Sequence, residues 1–112
     1  MAVRSVLKNV GMSTKRVRPL VDAVRGKPVQ AAIDALRFHP GPAAEQVNKA
    51  LRSAAANAEN NEGMNLARLR VVAAAADPGP VIKRWRAKAR GRVSRIKRRS
   101  CHITIVVDEA EA

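Results

Sequence analysis

Aromatic and sulfur chemistry are nearly absent from this chain: 112 residues include no tyrosine, one tryptophan (Trp85), one phenylalanine (Phe38) and one cysteine (Cys101). A core without aromatic rings is built from aliphatic groups, thin and closely packed, with little margin of stability. One cysteine excludes an intramolecular disulfide and a thiolate metal cluster, which suits a reducing cytosol, and its expected role is that of a small buried apolar residue. No segment approaches the roughly 18 consecutive apolar residues of a membrane span, and Met1 to Gly11 lacks the apolar run of a signal peptide. Neither a membrane nor an export address is expected.

Acidic residues are scarce too, nine against 22 Lys and Arg, for a net charge of +13. Such an excess points to a polyanionic partner. Its distribution says more: residues 83–99 hold ten cations and no acid, while the other 95 positions hold twelve cations and nine acids, a balance of +3. The body is ordinary and the charge sits on one segment. Catalytic chemistry is missing as well. His39 lies in a turn rich in proline, His102 begins an apolar alternation, the acids are dispersed and the glycines form no phosphate-cradling motif. The expectation is no enzyme, no metal and no cofactor.

What is present is periodic. Residues 2–10 mix Val and Leu with Arg and Lys, without Gly or Pro, and read as a strand or extended segment. Val17, Leu20, Val21 and Val24 have helical spacing, with Ser13 able to cap and Gly26 supplying a left-handed stop. Pro19 suits a first helical position, so the regular helix is expected from Arg18 or Pro19 after an irregular turn over Ser13 to Val17. Pro28 opens a second helix on Val29, Ala32, Ile33 and Leu36, which HPGP at 39–42 stops. A third runs from about Pro42 to Asn60, with Ala44, Val47, Leu51, Ala54, Ala55 and Ala58 along one stripe. From Leu66 to Ala76 the period falls to two, a strand interrupted by Asp77-Pro-Gly-Pro80; Ile103, Ile105 and Val107 resume it, and the acidic tail from Asp108 is expected to fray. The fold expected over residues 1–112 is one α+β domain: three helices packed on a small antiparallel three-stranded sheet, with a long extended β-hairpin arm at about 79–101.

Within the arm, Arg84, Arg86, Lys88, Arg90 and Arg92 alternate with Trp85, Ala87, Ala89 and Gly91. In an extended strand that pattern gathers five cations on one edge, whereas a helix scatters them. Gly91 lies midway between Pro80 and His102, and the charge continues through Arg95, Lys97, Arg98 and Arg99. A hairpin with its tip near 88–93 follows, its two strands of roughly ten residues reaching about 30 Å. Such a ribbon repels itself and calls for an external polyanion. Arginine outnumbers lysine there by seven to three, and its planar fork suits phosphates and base stacking. Trp85 has two open readings, stacking on a base or packing against the hairpin. Lys83 and these arm cations, with His102 either touching RNA or capping the hairpin base, form the candidate RNA site. Lys15, Arg16, Arg18, Arg25 and Lys27 form a second basic patch on the body, with simple solubility as the competing reading.

These motifs together resemble the bacterial large-subunit ribosomal protein L22 family over nearly the whole length. The resemblance rests on Ser13-Thr-Lys-Arg-Val-Arg18, Val24-Arg-Gly-Lys27, Ala54-Ala-Ala-Asn-Ala-Glu-Asn60, Gly79-Pro80, Lys83-Arg84, Gly91-Arg92 and His102-Ile-Thr-Ile-Val-Val107. Lys88 stands where the family usually has Arg or His, Ala87 where many members have Pro, and Pro19 where an aliphatic residue is common. The resemblance implies a non-enzymatic constituent of the large ribosomal subunit in the cytoplasm. It implies binding to large-subunit ribosomal RNA, contacts with neighbouring ribosomal proteins, a part in subunit assembly, and no homo-oligomer. It also implies that the hairpin lines the peptide exit tunnel, with Ile82, Lys83, Arg84, Arg86, Lys88, Arg90, Gly91 and Arg92 nearest the nascent polypeptide. The rival class is a DNA-compacting architectural protein. Such proteins commonly add an apolar wedge at the arm tip, and Lys88 to Arg92 contains none.

Overall fold

A computed structural model describes residues 2–39 and 41–109. Helices α1 (Thr14–Val24), α2 (Val29–Arg37) and α3 (Pro42–Glu62) accompany strands β1 (Val3–Val10), β2 (Leu69–Pro78) and β5 (Cys101–Glu109) in the body. Strands β3 (Ile82–Ala87) and β4 (Val93–Arg98) form a separate two-stranded ribbon, the arm. The body sheet is antiparallel in the order β1-β5-β2, so the last strand is the central one. This is the expected α+β architecture.

Period-two apolarity decides which face of the sheet the helices cover. Cys101, Ile103, Ile105 and Val107 of β5 are fully buried, while His102, Thr104 and Val106 between them are half-buried on the opposite face. Helices α1, α2 and α3 supply Val17, Val21, Val24, Val29, Leu36, Val47 and Leu51 to the same layer. Ala50, Ala54 and Ala58 line the buried stripe of α3, where a methyl group lets the helix axis approach its neighbours closely. Cys101 is buried in this core as expected, and desolvation raises its thiol pKa above the ordinary range.

Several local expectations require correction. Helix α1 begins at Thr14 and contains Pro19; Ser13 is its N-cap but its side chain makes no capping hydrogen bond. Pro19 faces solvent and forfeits one intrahelical bond, and burial of Val17, Val21 and Val24 outweighs that loss. Helix α3 runs on to Glu62, where Gly63 (φ 65°) provides the left-handed stop and Met64 N–H donates to the Ala58 carbonyl (3.1 Å). Leu66–Arg68 is a 3-10 turn rather than strand, and β2 extends through Asp77 and Pro78. A register shift between Val71 and Ala73 bulges Val72 into solvent and moves burial from the odd positions to Ala74 and Ala76. The tail does not fray at Asp108: β5 continues to Glu109, whose Oε1 accepts a 2.8 Å hydrogen bond from Asn65 N–H. Residues 110–112 of the expected frayed tail lie outside the described residues.

Candidate nucleic-acid interface

The arm leaves the body between β2 and β5, and the molecule measures 67 × 26 × 18 Å. Each arm strand has six residues instead of about ten, with Lys88 to Arg92 forming the tip. Arg90 (φ 59°) and Gly91 (φ 74°) both take the left-handed conformation there, and Lys88 N–H donates to the Arg92 carbonyl (2.6 Å) to close the turn. Left-handed backbone costs glycine little, whereas at Arg90 it is strained by about 1–2 kcal/mol.

Cross-strand register assigns the cations to faces. Arg84 lies opposite Ile96, Arg86 opposite Ser94, and Ile82 opposite Arg98, whereas Lys83 faces Lys97 and Trp85 faces Arg95. Residues directly opposite share a face. Arg84, Arg86 and Arg98 therefore occupy one face, and Lys83, Arg95 and Lys97 the other. The expected edge of five cations is not formed, because alternation places only Arg84 and Arg86 in the strand and leaves Lys88, Arg90 and Arg92 in the tip. The ribbon is cationic on both faces and at its end. Of residues 81–99 only Ser94 and Ile96 are even partly shielded, so the arm has no core of its own.

Trp85 is 64% exposed, and the Arg95 guanidinium carbon lies 5.3 Å from its ring centroid. That cation–π contact braces one side of the indole and leaves the remainder open. Both sequence readings of Trp85 keep a structural basis.

The arm root is tightly fastened. Gly79 N–H donates to the Ser100 carbonyl (2.9 Å) and Ser100 Oγ donates to the Pro80 carbonyl (2.6 Å). A Cβ on Gly79 would lie 2.8 Å from Ser100 Oγ and 3.2 Å from His102 Cε1, so any other residue there must displace the Ser100 and His102 side chains. His102 Nδ1 accepts a hydrogen bond from Asn9 N–H (3.1 Å), tying β1 to the root. His102 thus stands at the hairpin base. Beside it, Arg16 from α1 and Lys97, Arg98 and Arg99 from the arm line one cleft of about 670 Å3, which joins the body patch to the arm.

The remaining body cations divide. Arg25 Nε and Nη2 both donate to the Ala74 carbonyl (3.2 and 2.6 Å), and Nη2 also pairs with Asp22 (3.0 Å). Arg18 Nη2 donates to the Ala76 carbonyl (3.3 Å). These two arginines staple α1 to β2, an edge strand whose outward carbonyls at Ala74 and Ala76 face no further strand, so α1 does not offer all its charge to a ligand. Lys15, Arg16 and Lys27 are exposed. Sequence spacing gave no sign of these carbonyl staples, nor of Ser100, since both depend on contacts between distant segments. Among the described residues no group of three His, Cys, Asp or Glu side chains is placed to hold a metal, and no helix is long and apolar enough to cross a membrane.

A nearly neutral α+β body with a hairpin arm cationic on both faces defines a class: small single-domain proteins with a basic arm. Comparison with known proteins narrows it. Residues 5–108 match the family model for ribosomal protein L22p/L17e. The chain is 51% identical over 107 residues to a protein named large ribosomal subunit protein uL22 from Dehalococcoides mccartyi (strain CBDB1), covering 96% of this chain and 98% of that one. It is 45% identical over 111 residues to the protein of the same name from Roseiflexus sp. (strain RS-1), covering 99% and 98%. The chain belongs to the ribosomal protein L22p/L17e family.

Proposed function

We propose that this chain is a non-enzymatic constituent of the large ribosomal subunit in the cytoplasm. It acts as one domain whose arm holds large-subunit ribosomal RNA. The observation that carries this reading is the arm: ten cations without an acid on a ribbon exposed on both faces and unable to stabilise itself. Each phosphate that it neutralises releases counterions, giving affinity that falls steeply with salt. Arginines on opposite faces suit an arm threaded between RNA segments better than one lying on a single surface. Family membership supports the same partner, with neighbouring large-subunit proteins alongside. Ile82 to Arg92, running from the root of the arm to its tip, are the residues assigned to the wall of the peptide exit tunnel and to the nascent chain.

Replacing Lys83 to Arg99 by a short Gly/Ser turn tests the reading. The body is expected to keep its circular-dichroism spectrum while the salt dependence of ribosomal RNA binding collapses. An unchanged salt slope would refute the arm as principal contact. Preference for duplex DNA over structured RNA at matched salt would instead favour the architectural-protein alternative, and crosslinking to ribosomal RNA and to a nascent chain tests the tunnel assignment.

A further inference from the structure

A second charged cleft lies away from the arm and from α1, between the C-terminal end of α2 and the first turns of α3. It has a volume of about 730 Å3, and Arg37, His39, Lys49 and Arg52 line it with one acid, Glu45. No ion pair joins Glu45 to these cations among the described residues. Two further features adjoin it in the chain. Phe38, between two lining residues in sequence, is 84% exposed, more than any other large apolar side chain described. The first turn of α3 begins at Gly41 without a side-chain cap, so its N–H groups add to the positive field.

We propose that this cleft is a second RNA site, independent of the arm, which takes one unstacked nucleotide. The base stacks on Phe38, and the flanking phosphates are held by Arg37, Lys49 and Arg52. Each component has its own reason. An exposed phenylalanine contributes little to the fold but offers a π-face. Three long cations around one cavity favour a phosphodiester over a neutral ligand. The inference rests on the RNA-directed reading above, yet involves none of the residues that carry it.

The test uses the full chain with Trp85→Phe and Phe38→Trp, so that the only indole reports on the cleft. A single-stranded oligouridylate is titrated at fixed salt. Saturable quenching is expected, weakened at least about tenfold by Arg37→Ala, Lys49→Ala and Arg52→Ala together, with a smaller salt slope. Arg84→Gln, Arg86→Gln and Arg95→Gln together should leave the quenching midpoint within about threefold. Quenching that survives loss of the cleft cations, or that disappears with the arm cations, overturns the proposal. An abasic ribose-phosphate oligomer or inorganic phosphate competing as well as the oligouridylate would reduce the cleft to a bare anion site and overturn the nucleotide assignment. Failure of the arm reading appears separately, in the salt slope of the arm replacement on ribosomal RNA. Because Phe38 is exposed, thermal melts of these variants should match the parent, separating loss of binding from loss of fold.

Discussion

At the residue scale, several cations that look equivalent in the sequence have different work. Arg25 donates twice to one carbonyl of β2, so Arg25→Ala should destabilise the body by about 1–2 kcal/mol, measured by urea denaturation, while changing RNA affinity little. Arg16 makes no such staple and lines the arm-root cleft, so Arg16→Ala should show the reverse pattern. Cys101 is fully buried with a raised pKa, and its thiol should resist alkylation at neutral pH until the protein unfolds. The sign of its linkage follows. An unfolded thiol loses its proton at lower pH than the folded one, so this group's contribution to stability is complete below the ordinary thiol range. It is lost as pH rises through the raised folded value. Denaturation midpoints on the alkaline side of that range should fall less in Cys101→Ala, after allowance for the cavity that the substitution creates.

At the scale of elements, the strands and helices follow from the period of the apolar residues, and departures occur where a distant partner overrides the local signal. Pro19 marks a helix start by its own chemistry, yet the helix begins five residues earlier because three valines on one face are buried together. The bulge at Val72 has no signature in a run of alanines and valines; pairing with both Val107 and Val106 of β5 imposes it. The arm root is the element most sensitive to a single atom. Gly79→Val should drive Ser100 away from the Pro80 carbonyl and loosen the arm relative to the body. Backbone amide exchange should accelerate at 79–81 and 99–101 while the core strands remain protected. Leu51→Ala, in contrast, removes a fully buried side chain from α3 and should cost about 2–5 kcal/mol of global stability without altering the arm.

At the scale of the whole molecule, charge and fold are segregated. Removing residues 83–99 takes away ten cations and leaves a chain of net charge +3, which should fold on its own buried layer. The composition, the charge run, the three helical stripes and the closing alternation are all present in the sequence, because burial periodicity and net charge are properties of order along the chain. They determined an α+β body and a basic hairpin, because both are set by order along the chain. Only tertiary structure decided that the arm's cations divide between two faces, since that depends on cross-strand register. It also decided that Arg18 and Arg25 are consumed as staples, because the order of strands leaves β2 at the sheet edge with its outward carbonyls open. The same is true of the scarce aromatics with which the sequence began. Composition says that there are two, and the fold leaves both exposed: Trp85 against Arg95 on the arm and Phe38 beside a cationic cleft, since the aliphatic core is already filled by valine, leucine, isoleucine and alanine.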